Sequence, residues 1–83
     1  MKYYPLLKSA KPLDAYCLML TFANNEHRVY DFTPNLDHKF YSQLKNKILF
    51  ENVSVVGGEI QWTTGQDFCP HTLYDESVPI NLN

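Results

Sequence analysis

The chain has 83 residues, of which 45% are hydrophobic and 19% are charged. These proportions exclude a disordered chain, which needs few hydrophobic residues and a high net charge, and the length allows one domain with a thin core. The net charge of −2 and the single arginine argue against binding to a phosphate backbone, which clustered basic side chains hold. The sequence therefore predicts a single folded domain over residues 1–83, without an affinity of its own for nucleic acid.

The N-terminal sequence predicts the compartment. Pro5 and Lys8 interrupt the region where a secretory signal needs an unbroken apolar run. The longest apolar stretch, residues 16–20, is far shorter than the ~20 residues of a membrane span. Without an oxidising compartment, the two cysteines are expected to be free thiols. We therefore expect a soluble, cytoplasmic protein with no membrane partner.

The first third of the chain predicts three antiparallel strands. Residues 6–11 form an edge strand that ends in a turn at residues 12–14. A central strand follows over residues 15–22. Asn24 and Asn25 suit a two-residue hairpin turn, because asparagine tolerates positive φ, and the returning strand is 26–32.

This two-residue turn sets the register of the hairpin. It places Leu20 opposite Val29, so that Leu18 and Phe22 share a face with both of them. The opposite face then carries four further apolar side chains, Cys17, Met19, Tyr30 and Phe32. Since both faces are apolar, we expect a helix to cover one and a loop or a second chain to cover the other, a homodimer being one such arrangement.

A change of period after the third strand predicts a short amphipathic helix. Thr33 and Pro34 suit the N-cap and the first helical position. Three apolar residues recur along one stripe at a spacing of four, Leu36, Phe40 and Leu44. A second helical turn at residues 46–50 is expected to place Ile48 and Phe50 in the core.

Two adjacent glycines at 57–58 give the clearest local signal, since they supply both positive φ values of a tight turn. Strands are expected over residues 52–56 and 59–62. The register that follows has two apolar pairs, Val55 with Ile60 and Val53 with Trp62. One face of this hairpin is therefore predicted to be buried.

The remainder predicts less regular structure. After a turn at 63–66, a loop is expected to end in a helical turn begun by Pro70. The ordered core is predicted over residues 5–75, and a flexible tail over 76–83 unless a partner or a sheet edge takes Val78 and Ile80.

Together these elements predict an α+β fold. It is a small antiparallel β-meander of about five strands, packed by one short helix between strands 3 and 4, with a C-terminal helical turn.

Chemistry-bearing residues are concentrated in one place. Cys69, His71 and Asp67 fall within five residues and suggest a small thiol or hydrolytic enzyme as an alternative function. No oxyanion motif accompanies them, so we do not predict an enzyme. The paired ligand spacing of structural zinc is missing as well, so no metal and no cofactor are expected.

The same region is rich in residue types that dominate protein interfaces. We therefore predict that a small protein partner is bound by the apolar sheet face or by the edge formed by residues 62–74. The candidate contact residues are Trp62, Asp67, His71, Tyr74, Met19 and Tyr30.

The order of signals along residues 8–74 is distinctive. It comprises the strand residues 18–22 and 29–32, Leu44, the pair at 49–50, and seven closing residues, Trp62, Gly65, Asp67, Pro70, Thr72, Leu73 and Tyr74. In these signals the chain resembles the bacterial domain of unknown function 2442 family, with Asn25 where such proteins often have glycine. The resemblance implies a small α+β domain with no established catalytic activity or cofactor. It also implies an accessory, antitoxin-like role, because members are often encoded in pairs that look like toxin and antitoxin modules.

Overall fold

The computed structural model describes residues 4–81. Within them the chain forms seven strands, β1 (Leu7–Leu13), β2 (Cys17–Phe22), β3 (His27–Asp31), β4 (Val53–Val56), β5 (Glu59–Trp62), β6 (Asp67–Phe68) and β7 (Val78–Ile80). The α-helices in this range are α1 (Lys47–Glu51) and α2 (Pro70–Glu76). Shorter 3₁₀ segments are Asp14–Tyr16, Thr33–Asp37 and Lys39–Lys45.

The strands form two antiparallel sheets, one in the order β1-β2-β3-β7 and the other in the order β4-β5-β6. The α+β class is confirmed, as are the helical segment between the third and fourth strands and the helix near the C-terminus. The structure adds the short strands β6 and β7 to the five predicted strands and divides the strands between two sheets.

The register of the β2–β3 hairpin differs by one residue from the prediction. Leu20 pairs with Arg28 instead of Val29. The loop has three residues, 23–25, because Phe22 N–H donates to the Glu26 carbonyl at 2.9 Å and Asn25 takes a left-handed φ of 69°. A third loop residue in this conformation is a common way to close a hairpin. The predicted two-residue turn is therefore wrong.

A one-residue change of register moves side chains to the other face of a sheet. Tyr30 lies opposite Leu18 and is 5% exposed, and Phe32 is 0% exposed. The prediction that these two rings lie on the second face is therefore wrong. They belong to one core cluster that joins both sheets and the helical segments, with Leu7, Leu18, Leu20, Phe22, Leu36, Leu44, Phe50, Ile60, Trp62 and Leu73.

The predicted amphipathic helix is instead two 3₁₀ segments separated at His38, whose ψ of 132° is extended. With about three residues per turn, the position above Leu44 is Tyr41 and not Phe40. Tyr41 accordingly packs against the core, whereas Phe40 is 52% exposed. The assignment of Phe40 to a buried stripe is wrong.

Helix α1 confirms the predicted second helical turn. The Asn46 side chain caps it by accepting the Ile48 N–H at 3.0 Å. Phe50 is buried as expected, but Ile48 is 71% exposed and does not enter the core. A single helical turn presents only one of these two positions to the sheets.

The β4–β5 hairpin has the predicted register, with Val55 opposite Ile60 and Val53 opposite Trp62. Gly57 and Gly58 have φ values of 60° and 83°. Glycine adopts these left-handed values readily because it has no side chain. The two glycines alone were therefore sufficient to predict this turn correctly.

The β1–β2 turn lies at Asp14–Tyr16 and not at the predicted residues 12–14. Ala15 and Tyr16 both have positive φ, 61° and 59°, although neither is glycine. Left-handed backbone costs a side-chain-bearing residue roughly 1–2 kcal/mol. Two contacts of Tyr16 offset this conformational cost. Its ring packs on that of Phe50, with centroids 5.3 Å apart, and its backbone carbonyl accepts the Phe32 N–H at 3.0 Å.

The tail predicted to be flexible forms β7 at the edge of the larger sheet, where Val78 pairs with Val29 and Ile80 with His27. This is the exception that the prediction allowed, in which a sheet edge takes Val78 and Ile80, and residues 82–83 lie outside the described range. Ser77, which precedes the strand, is 6% exposed. Its burial indicates that the segment is fixed by specific contacts.

Candidate functional site

Two of the predicted partner-binding residues lie in the core. Trp62 is 4% exposed, and its indole N–H donates to the Phe50 carbonyl at 2.9 Å. Tyr30 is 5% exposed, and its hydroxyl accepts a hydrogen bond from Asn35 Nδ2 at 2.8 Å. The buried Trp62 ring presents almost no surface to a partner, which corrects its predicted role, and Tyr30 can present only its hydroxyl.

Of three further predicted residues, His71 and Tyr74 both contact the Tyr4 ring, whereas Asp67 does not share this contact. His71 is exposed and stacks on Tyr4, with ring centroids 4.1 Å apart. Tyr74 is half-buried and donates its hydroxyl to Glu26 Oε1 at 2.7 Å. Asp67 is exposed, and its backbone carbonyl accepts the Tyr41 hydroxyl at 3.0 Å. The Cys69, His71 and Asp67 side chains are therefore not joined in a hydrogen-bonded relay within residues 4–81.

Cys69 occupies the N-cap position of α2 and is exposed. The Thr72 backbone, in the first turn of α2, is the main cause that lowers the pKa of its thiol, although the Cys69 side chain makes no capping hydrogen bond. Cys17, on β2, is half-buried, and burial together with the Asp31 carboxylate raises the pKa of that thiol. Across residues 4–81, no three His, Cys, Asp or Glu side chains gather closely enough to hold a metal ion.

We expect iodoacetamide to alkylate Cys69 before Cys17 at neutral pH. A lower pKa gives a larger thiolate fraction, and only the thiolate is the nucleophile. Mass spectrometry of peptides from timed samples measures both rates in one experiment, and a Cys17→Ser variant should leave the Cys69 rate unchanged. Faster labelling of Cys17 in the native protein would contradict this assignment.

The outer face of the larger sheet is the side that points away from the core. Its centre is a row of neighbours in register, Lys11, Met19, Val29 and Val78. Met19 and Val29 are half-buried, and Val78 is 64% exposed. Leu13, Cys17 and Ile80 lie on the same face. An accessible apolar surface of this kind marks sites of interaction.

Both edge strands of this sheet contain proline, Pro12 in β1 and Pro79 in β7. Proline has no N–H to donate, so it limits the pairing of a further strand with either edge. The outer face is therefore better suited to a partner than the sheet edges are.

At the β7 side of this face lies a groove of about 640 Å³, called here the β7 groove. Its apolar lining consists of Val29, Pro34, Val78 and Ile80. Its polar lining consists of Tyr30, Asp31, Asn35 and Glu76. Burial raises the pKa of the Tyr30 hydroxyl, the hydrogen bond from Asn35 opposes this, and the carboxylates of Glu76 and Asp31 add to the rise.

Arg28 holds the wall of the β7 groove in place. Its Nε donates to Ser77 Oγ at 2.7 Å and its Nη2 donates to the Ser77 carbonyl at 2.9 Å. Its Nη1 pairs with Glu26 Oε2 at 3.0 Å, and the guanidinium lies 4.4 Å from the centre of the Tyr74 ring. Sequence reasoning missed this role, and the one available signal was that Arg28 is the only arginine.

A smaller hollow of about 170 Å³ lies beside the strained turn and is lined in part by Tyr16, Lys47 and Phe50. Lys47 is the one basic residue in its lining, and its ammonium group is already paired with Asp14 Oδ1 at 3.8 Å. The β7 groove, which is larger and continuous with the outer face, is therefore the candidate site.

The helices within residues 4–81 are all too short to cross a membrane. Comparison with protein families gives a match over residues 7–79 to the family described as "Protein of unknown function (DUF2442)". No curated protein and no solved structure matches the chain.

Proposed function

Because the chain belongs to the DUF2442 family, whose description assigns no function, we propose a role from its surface: it is an interaction module that binds a small protein partner through its outer face. In this role it is the accessory, antitoxin-like member of a protein pair, acting in the cytoplasm. The observation that carries the proposal is the accessible apolar row of Met19, Val29 and Val78 on a sheet whose two edge strands, β1 and β7, both contain proline.

The thiol-enzyme alternative has less support. The lowered pKa of Cys69 favours a reactive thiol, but the His71 ring stacks on Tyr4. A nucleophile normally needs a base within hydrogen-bonding reach. The apolar outer face, in contrast, needs no rearrangement to receive a partner.

A matched pair of valine substitutions tests the proposed function. Val78 lies on the outer face and is 64% exposed, and Val56 lies on the exposed face of β4 and is 55% exposed. Val78→Lys should remove a small protein that the tagged wild-type chain captures from its native lysate, because a charge then blocks the apolar contact. Val56→Lys should retain that protein.

Light scattering of the purified chain completes this experiment. Equal capture by the two variants would contradict docking on the outer face. An empty capture from a chain that is monomeric in solution would also contradict the proposal. A dimer that Val78→Lys dissociates would replace the small protein partner by a second copy of this chain.

A further inference from the structure

The β7 groove combines apolar side chains with two carboxylates that form no ion pair within residues 4–81. Val29, Val78 and Ile80 form apolar lining where the outer face meets the edge strand. Asp31 and Glu76 lie in the same lining and are both exposed. Any partner that covers the valines therefore also removes water from these carboxylates.

The described part of the chain supplies no cation to this groove. Within residues 4–81, the ion-paired carboxylates are Glu26, Asp37 and Asp14, whose partners are Arg28, Lys45 and Lys47. Neither Asp31 nor Glu76 has an ion pair in that range. Asp31 Oδ1 instead accepts the Thr33 backbone N–H at 2.9 Å.

Arg28 is close along the chain but is not available to the groove. Its three guanidinium nitrogens already bind Ser77 and Glu26. Releasing Nε or Nη2 would break the contacts with Ser77 that fix the start of β7, and releasing Nη1 would break the ion pair with Glu26. The remaining groove groups are neutral: the Asn35 amide donates to the Tyr30 hydroxyl, and a hydrogen bond between that hydroxyl and Glu76 supplies no positive charge.

Covering an unpaired carboxylate with apolar surface is strongly unfavourable, and a cation hydrogen-bonded to it offsets part of that cost. Charge-assisted hydrogen bonds from a guanidinium or ammonium group to carboxylates are among the stronger polar contacts in an interface. Complementary charge also fixes the orientation of a partner more than apolar contact does. A partner of the outer face therefore needs a basic group at this position.

We infer that the β7 groove receives an arginine or lysine side chain carried on an apolar segment of the partner protein. The apolar neighbours of that residue cover Val29, Val78 and Ile80, and its cationic group lies between Asp31 and Glu76. This inference rests on the proposed function, which it deepens by stating the chemistry of the bound segment.

The first test is an NMR titration of the ¹⁵N-labelled full chain with the peptide acetyl-Val-Arg-Val-amide. Saturable shifts are expected for the amides of Val29, Asp31, Glu76 and Val78, and these shifts should weaken with added salt. Acetyl-Val-Gln-Val-amide, which lacks the charge, should bind roughly tenfold more weakly. Equal binding of the two peptides, or no shift at these amides, would overturn the inference.

Variants locate the charge. The double substitution Asp31→Asn and Glu76→Gln should weaken the arginine peptide by roughly tenfold, because both carboxylates become neutral amides. The double substitution Glu51→Gln and Glu59→Gln removes two exposed carboxylates that lie outside the groove, in α1 and β5, and should leave binding unchanged. Equal effects of the two changes would mean that only the net charge matters, and the inference would fail.

Partner capture separates this inference from the proposed function. If Val78→Lys abolishes capture while the double amide variant retains it fully, the outer face binds a partner but the basic side chain is wrong. If Val78→Lys retains capture, the proposed function itself fails. NMR of the chain without peptide tests for a second copy. If the groove amide resonances shift on dilution, and Lys11→Gln removes that shift, the cation comes from another copy of this chain. That result would overturn the inference of a basic side chain on a partner protein.

Discussion

Replacing Phe32 by alanine should lower the free energy of unfolding by about 3–5 kcal/mol. The Phe32 ring is fully buried and connects the two sheets. Five aromatic rings surround it with centroid distances of 5.0–6.1 Å, those of Tyr30, Tyr41, Phe50, Trp62 and Phe68. Both sheets, α1 and the 3₁₀ segment Lys39–Lys45 hold these five rings. The rings therefore cannot move inward to fill the cavity that alanine would leave. Native proteins have only about 5–15 kcal/mol of stability in total, so the expected loss is a large fraction of it.

Phe40→Ala is the matched control, since it removes the same ring from a side chain that is 52% exposed. Its expected cost is below about 1 kcal/mol. Urea unfolding followed by circular dichroism and by the fluorescence of the single tryptophan, Trp62, measures both variants. If Phe40→Ala were as costly as Phe32→Ala, the described break at His38 and the inward position of Tyr41 would be incorrect.

Replacing Arg28 by glutamine should cost about 2–3 kcal/mol, because charge-assisted hydrogen bonds to Ser77 and Glu26 are lost. The Arg28 side chain is only 13% exposed, so water cannot fully replace these partners. Arg28→Lys should recover only part of the loss, since an ammonium group cannot reproduce the planar fork of a guanidinium. Lys45→Gln should cost less than about 0.5 kcal/mol, because its contact with Asp37 is exposed and 3.9 Å long.

Hydrogen exchange gives the Arg28 substitution a second, local readout. The amides of Val78 and Ile80 should exchange faster in Arg28→Gln than those of the β4–β5 hairpin, because Arg28 fixes the segment that enters β7. A uniform loss of protection across both sheets would show instead that Arg28 stabilises the fold without a particular role at β7.

Sequence signals succeeded where one short segment determines the structure. The two glycines at 57–58 meet the φ requirement of a tight turn by themselves, and the register of the flanking strands follows. Asn24 and Asn25 are compatible with a two-residue or a three-residue loop, since asparagine accepts positive φ at either position. That ambiguity of one residue was enough to place Tyr30 on the wrong face.

Other features depend on partners far away in the sequence. Strands β6 and β7 have two and three residues, too few to show an alternating pattern. The start of the helical region was predicted correctly near Thr33 and Pro34, but tertiary packing selected 3₁₀ geometry over an α-helix. Met19 was correctly assigned to the accessible face of the sheet. Asp31 and Glu76 were not recognised as neighbours, because only the pairing of β3 with β7 brings them together.

The contact between Arg28 and Ser77 also bears on the order in which the domain assembles. These residues are 49 positions apart, whereas the first two hairpins join adjacent segments. Closing a longer loop costs more chain entropy, so we expect β7 to join the sheet after the local hairpins have formed. The unfolded chain therefore offers no β7 groove. A partner bound there selects the native state alone, and it shifts the folding equilibrium by mass action as its concentration rises.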